Sequence, residues 1–356
     1  MKSIEILTQE AIALLKNLIE TQSFSSEEEH TAALIEKWFT ANTIPFEREN
    51  NNIWAYNLTF DKSKPTLLLN SHHDTVRPNQ AYTKDPFKAI VEEGKLYGLG
   101  SNDAGGCLVS LLATFVHFYA SDNLPYNIVM VASAEEESSG KKGLNSVLKN
   151  LPELECAIVG EPTLMQLAIA EKGLLVLDVK VKGTPSHAAH QNDDNAIYKT
   201  ISVMEWFKNY TFEKISEQLG PIKMTVTQIN AGKQHNVVPS ECDLVVDIRV
   251  NDCYTNHEIL QIVKENINAE VTPRSMNLSS SSIPVSHGLV QAGIALGRTT
   301  YGSPTLSDQS VLSCKSLKLG PGDTLRSHSA DEFIYLNEIE EGIQLYIKIL
   351  GDFLKQ

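Results

Sequence analysis

The sequence predicts an α/β fold on a mostly parallel central sheet, interrupted by a smaller, ferredoxin-like α+β domain. Three observations carry this. Apolar runs of strand length at 65–72, 126–137 and 155–163 are nearly continuous, as strands buried on both faces require. Helical patterns at 106–122 and 143–151 lie between them, and strands alternating with helices mark parallel connections. From Leu174 the order of patterns becomes β-α-β-β-α-β, that of a ferredoxin-like unit. The expected division is one α/β domain from 1–173 and 285–356, with the insert at 174–284.

Taken in order, the first segment, "MKSIEILTQEAIALLKNLIE", carries Glu5, Glu10 and Lys16 within its apolar run, and no small-residue cleavage site follows. It reads as an amphipathic helix of a cytoplasmic protein, not as a targeting signal. Within the insert, "LLVLDVKVKG" alternates as a strand and 195–210 is helical. Residues 223–250 read as two strands joined by a Gly-containing turn, 256–267 as a second helix and "AEVTPRS" as a short strand. After the Ser-rich stretch 277–288 the α/β texture returns, and "LNEIEEGIQLYIKILGDFL" closes as a helix.

The composition narrows the classes of function. Of the 356 residues 42% are hydrophobic and 21% charged, ordinary for a folded chain with sizeable cores. A formal net charge of −14 argues against nucleic acid or an anionic membrane as partner. Five cysteines without CxxC spacing read as reduced thiols, not as a disulfide framework or a zinc cluster.

Chemistry-bearing residues cluster after the apolar runs, at the carboxyl ends of strands, where open α/β sheets bind ligands. In "SHHDTV" (71–76), residues two apart share a face of an extended segment, so His72 and Asp74 point together and His73 points away. A metal-bound imidazole commonly gives its other N–H to a carboxylate, and His-x-Asp spacing suits that role. Asp103 stands between glycine pairs in "GLGSNDAGG", where it can approach a cation or cap a helix. "SAEEE" (133–137) ends the most apolar strand, where three carboxylates repel one another unless cations intervene. Glu161 in "VGEPT" and His328 in "GPGDTLRSHSADEF" complete the set. Two histidines and several carboxylates suit a pair of Zn²⁺ or similar divalent ions.

These motifs, in this order, resemble the M20 family of metallopeptidases and deacylases over essentially the whole chain. The resemblance implies a zinc-dependent exopeptidase-like catalytic domain carrying two divalent ions, zinc or cobalt. It implies His72, Glu137, Glu161 and His328 as ligands, Asp103 as the bridging ligand and Asp74 as the carboxylate that orients His72. Glu135 stands where the family commonly has Asp, Glu136 then falls on the general base, and Ser71 replaces a usual glycine. The insert resembles the family's lid and dimerisation domain, which implies a homodimer. "KGTPSHAAH" (182–190) there implies that His187 supports the oxyanion. "HNVVPSECDLVVDIR" (235–249) implies that Asn236 and Arg249 hold a substrate carboxylate, and a guanidinium is suited to that.

The implied function is hydrolysis of the amide of a small N-acylated amino acid, with ornithine-type deacetylation or desuccinylation in arginine biosynthesis expected first. The alternatives are a succinyl-diaminopimelate or acyl-lysine deacylase of lysine biosynthesis, a dipeptidase or carboxypeptidase, and a metal-free binding protein on the same fold. A nucleotide-binding protein is disfavoured, because the Gly-rich loop lacks phosphate-loop order.

Overall fold

The structure, a computed structural model, describes residues 2–355. It separates into two compact units. One runs to Ile169 and takes in Ser282–Tyr301 and the chain from Ser307; the other comprises Ala170–Ser281 and Gly302–Leu306. The boundary thus falls four residues before the expected one. The strand Leu167–Glu171 is followed after a single residue by the strand Gly173–Lys182, so no linker composition marks the crossing.

The first unit is built on a sheet in the strand order Glu47–Glu49, Asn52–Tyr56, Asn127–Ser133, Thr66–His72, Leu154–Val159, Lys315–Lys318, Leu167–Glu171. The central pairings are parallel, and Asn52–Tyr56 and Leu167–Glu171 join antiparallel on either side. Every residue of Thr66–His72 and Asn127–Ser133 is buried, because the sheet has an apolar layer on each face. On one face Leu67, Leu69, Ile128, Met130 and Ile158 meet Leu15, Phe115 and Tyr346 from helices Ile4–Ile19, Gly106–Tyr119 and Leu336–Phe353. On the other face Leu68, Val129, Val131 and Ala157 pack with Leu144, Val147 and Leu151. Side chains alternate along a strand, so two covered faces demand the continuous apolar runs seen in the sequence.

The expected helix at 143–151 shrinks to Leu144–Val147 followed by a 3₁₀ turn, Leu148–Asn150. Pro152 accounts for the stop, since the residue before a proline avoids the helical region and Leu151 is extended. Among the described residues no helix is long and apolar enough to cross a membrane.

The second unit has the expected order: strand Gly173–Lys182, helix Ala196–Asn209, strands Lys223–Ala231 and Glu241–Val250, helix Asn256–Asn266, strand Glu270–Pro273. Its antiparallel sheet places Glu241–Val250 and Gly173–Lys182 in the middle, with Lys223–Ala231 and Glu270–Pro273 at the edges. Leu175, Leu177, Val179, Leu244, Val246 and Ile248 face Val203, Phe207, Ile259 and Val263 from the helices. Asn195 caps the first helix, and Thr255 with Glu258 forms a capping box on the second. The expected simple turn between the strands Lys223–Ala231 and Glu241–Val250 is instead a connection, 232–240, in which Val237–Val238 pairs with Ser186–His187.

Candidate metal centre

Parallel pairing fixes where the strands deliver their last residues. His72 lies opposite Ser133, so "SAEEE" leaves the sheet beside His72, and Leu154–Val159 on the other side leads through Gly160 to Glu161. His72 Nε2 lies 3.4 Å from Asp103 Oδ1, 3.8 Å from Glu161 Oε1 and 3.9 Å from Glu136 Oε2. His328 Nε2 lies 3.0 Å from Glu137 Oε2 and 3.5 Å from Asp103 Oδ2. Asp103 therefore turns one oxygen to each imidazole. Ligand atoms of His72, Asp103 and Glu137 fall within 4.8 Å of one another, as do those of His72, Glu136 and Glu161. All six residues expected at the metal site or as its base come together in the first unit.

The two adjacent histidines divide as strand geometry predicts. His73 is buried, its Nε2–H donating to the Asn51 carbonyl and its Nδ1 accepting from the Thr31 hydroxyl, each at 2.9 Å. Burial pushes its pKa down to about 4, so it is a neutral structural group. His72 Nδ1–H donates to the backbone carbonyl of Asp74 at 3.0 Å, with the Asp74 carboxylate at 3.5 Å. The orienting contact thus comes from the carbonyl more than from the expected carboxylate. Asp74 Oδ1 and Oδ2 accept the backbone N–H of Glu136 at 3.0 Å and of Glu137 at 3.1 Å, and Oδ2 also accepts the Ser25 hydroxyl at 2.6 Å. One buried carboxylate holds the turn that aims the next two carboxylates.

Glu135 takes the opposite direction. It adopts a left-handed φ of 53° and accepts the Ser26 hydroxyl and the Lys142 N–H. A Cβ at Gly140 would stand 2.1 Å from Glu135 Oε2 and 2.5 Å from its Cβ, so the return of this loop needs glycine there. Glu136 and Glu137, not Glu135, face the cluster.

Asp103 lies in the turn Ser101–Gly105, and the helix that follows has no side-chain cap, which removes the capping alternative. A Cβ at Gly105 would stand 2.4 Å from the Gly100 carbonyl oxygen, the partner of its own N–H at 2.9 Å. The loop closes because that position has no side chain.

His72 Nε2 is buried, faces carboxylates of Asp103, Glu136 and Glu161, and makes no hydrogen bond. Burial opposes charge on His72, yet Asp103, Asp74, Glu136 and Glu161 together hold its pKa well above the usual range. Burial, with Asp103 and Glu137 nearby, pushes Glu161 up to about 8. Burial together with Glu161, Asp308 and Glu137 drives Glu136 well above its ordinary value. The Glu137 hydrogen bond raises His328 to about 9. Asp103 is held below its usual value, because His72, Ser327 and His328 outweigh its burial. Two imidazoles and four carboxylates around an orphaned nitrogen fit divalent cations of the zinc type.

Three residues were not legible. Glu332 is buried, and its carboxylate accepts the N–H groups of Gly100, Asn102 and Asp103. Asp308, also buried, accepts the Ser133 hydroxyl at 2.6 Å, and burial lifts it to about 6. Ser25 braces Asp74. Only Glu332 had a signal, an acid directly before the apolar "FIYL". His187, Asn236 and Arg249 belong to the second unit. His187 is exposed with its Nδ1 accepting the Ala189 N–H, the Asn236 carbonyl accepts the Ala188 N–H, and Arg249 forms a two-point pair with Asp247.

The family model described as "Peptidase family M20/M25/M40" matches residues 68–352. Succinyl-diaminopimelate desuccinylase of Wolbachia pipientis subsp. Culex pipiens is 26% identical over 289 residues, covering 76% of this chain and 72% of that protein. The enzyme of the same name from Helicobacter pylori strain Shi470 is 27% identical over 303 residues, covering 78% of each. The M20 family metallo-carboxypeptidase Sso-CP2 from Sulfolobus solfataricus shares the fold at TM-score 0.76 and 15% identity, over 97% of this chain and 99% of that one. The Bacillus subtilis YXEP protein, described as a dinuclear metal-binding M20 peptidase, aligns at TM-score 0.74 and 13% identity over 99% of each chain.

The split of the two histidines gives a paired expectation. His72→Ala loses bound divalent metal by elemental analysis. His73→Ala keeps the wild-type metal content while its unfolding free energy in urea falls by about 1–3 kcal/mol, the range for stranded buried hydrogen-bond partners. Metal retained by the first variant, or lost by the second, reverses the assignment.

Proposed function

The chain belongs to peptidase family M20/M25/M40, and on that premise we propose that it hydrolyses the amide bond of an N-acylated amino acid at a centre of two divalent metal ions. The observation that carries this reading is the buried His72 Nε2, without a hydrogen-bond partner and facing carboxylates of Asp103, Glu136 and Glu161. In the reading, His72 and Glu161 hold one ion, His328 and Glu137 the other, and Asp103 both; its two oxygens facing the two imidazoles support that division. Zinc is the proposed metal, on the grounds of the mixed imidazole and carboxylate donor set.

When bound, the ions supply Lewis acidity, which polarises the acyl carbonyl and acidifies a water molecule. Glu136 is the acid of the cluster left over by this assignment. Burial gives it high proton affinity, suited to taking a proton from the attacking water and returning it to the leaving amine. Asp74 keeps Glu136 and Glu137 in place through their backbone N–H groups. His187 is assigned to the developing oxyanion, and Asn236 with Arg249 to a substrate carboxylate; what supports these three is the family resemblance and their donor chemistry.

For the substrate we take a succinyl amide of a diaminopimelate-type amino acid, supported by relatives of that name over about three-quarters of the chain. The ornithine reading of arginine biosynthesis, expected first from the sequence, falls behind it. Amine release is measured on succinyl and acetyl forms of diaminopimelate, lysine, ornithine and citrulline and on dipeptides, with and without chelator. The expected result is fastest, chelator-sensitive turnover of N-succinyl-diaminopimelate. A faster acetylornithine reaction would restore the first reading, and no turnover by metal-loaded protein would leave a binding protein.

Glu136→Gln is expected to keep its metal and fold while kcat falls by about 10²- to 10⁴-fold, the range for general acid–base catalysis. Metal loss in that variant would make Glu136 a ligand, and an unchanged kcat would end its role as base.

The homodimer implied by the resemblance is part of the same proposal. The strand Lys223–Ala231 pairs on one side only, and Ile229, Ile197 and Ile201 are exposed on the same unit. Light scattering should give twice the chain mass, and Ile229→Asp should shift it toward the monomer. A monomeric wild type would contradict it.

A further inference from the structure

The loop that carries Asp103 is held from one direction by a single buried side chain. Glu332 is 2% exposed, and its carboxylate accepts three backbone N–H groups of that loop. Oε2 accepts the Gly100 N–H at 3.0 Å; Oε1 accepts the Asn102 N–H at 2.8 Å and the Asp103 N–H at 2.9 Å. The backbone carbonyl of Glu332 also accepts the Gly98 N–H at 3.0 Å. Farther along the same loop, Asn102 is tied by its amide to the backbone of Asp323, donating to its carbonyl and accepting its N–H, each at 3.0 Å. No other side chain described here takes the three loop N–H groups, so removing the carboxylate would leave buried donors without partners.

The position of Glu332 in the chain adds a second consequence. It follows His328 by four residues, in a segment where His328 itself has a left-handed φ of 57°. That segment therefore presents one imidazole to Asp103 Oδ2 and, four residues on, clamps the Asp103 backbone.

We infer that Glu332 is a positioning residue of the metal centre, which fixes the Asp103 loop so that one carboxylate faces both His72 and His328. The inference rests on the two-metal reading above, and it concerns a group that touches neither metal nor substrate. Residues of this kind tune metal affinity by about 10- to 100-fold when altered.

The test is metal affinity, measured on chelated and refilled wild-type protein, Glu332→Gln and Glu332→Asp by competition with a zinc-binding dye. Gln places an amide N–H₂ against a loop N–H, and Asp keeps the charge but shortens the reach by one methylene. Both variants should bind zinc about 10- to 100-fold more weakly. Excess zinc should restore turnover with substrate KM unchanged. Weak binding by Gln with wild-type affinity in Asp would show that charge, not position, matters, and would overturn the inference. A lower melting temperature with unchanged zinc affinity in both would overturn it too, reducing Glu332 to a structural residue. Should Gln fail to fold, the Asp variant alone decides by the same affinity criterion. Wild-type protein that takes up no zinc would instead remove the two-metal reading, which separates the two failures.

Discussion

Four carboxylates gathered with the buried His72 and the exposed His328 at one edge of the sheet are the constraint around which the first unit is organised. Burial and neighbouring carboxylates raise the proton affinities of Glu136 and Glu161, and the surrounding carboxylates raise that of His72 against its burial. Such crowding costs stability in the empty protein and becomes favourable when metal enters. The parallel register brings it about. Neighbouring strands that end level release His72, the acidic turn and Glu161 at one edge.

Crowded charges stay aimed only if their backbones are held, and the holding groups are mostly buried acids. Asp74 grips the N–H groups of Glu136 and Glu137, Glu332 grips those of the Asp103 loop, and Glu28 accepts the Glu135 N–H. Each uses a buried acidic side chain as an acceptor for backbone N–H groups. Glu135 is turned out of the cluster by the same principle, through Ser26 and Lys142.

The sequence made the fold legible because both signals it used are dictated by burial. Continuous apolar runs appear only where both faces of a strand are covered, as at Leu67, Leu68 and Leu69. The split between His72 and His73 follows from the two-residue period of an extended chain and from nothing else. The residues proposed as ligands were legible because His72, the acidic turn and Glu161 follow strand ends and Asp103 lies in a glycine-flanked turn, while His328 was picked out by the family pattern. Asp74 was read as a partner of His72, while its grip on the acidic turn depends on a three-dimensional return that spacing does not encode. Glu332 and Asp308 lie far along the chain from the groups they touch, so tertiary structure alone shows what each of them holds. The unit boundary at Ile169 was missed because the crossing is extended backbone on both sides.

The central claim is that this cluster exists to hold two cations with Asp103 shared between them. Diffraction at the zinc absorption edge, from crystals of zinc-loaded protein, tests that directly. Two anomalous peaks are expected, one beside His72 and Glu161, the other beside His328 and Glu137, with Asp103 contributing an oxygen to each. A single peak, or peaks that leave Asp103 without contact to either ion, would contradict the account.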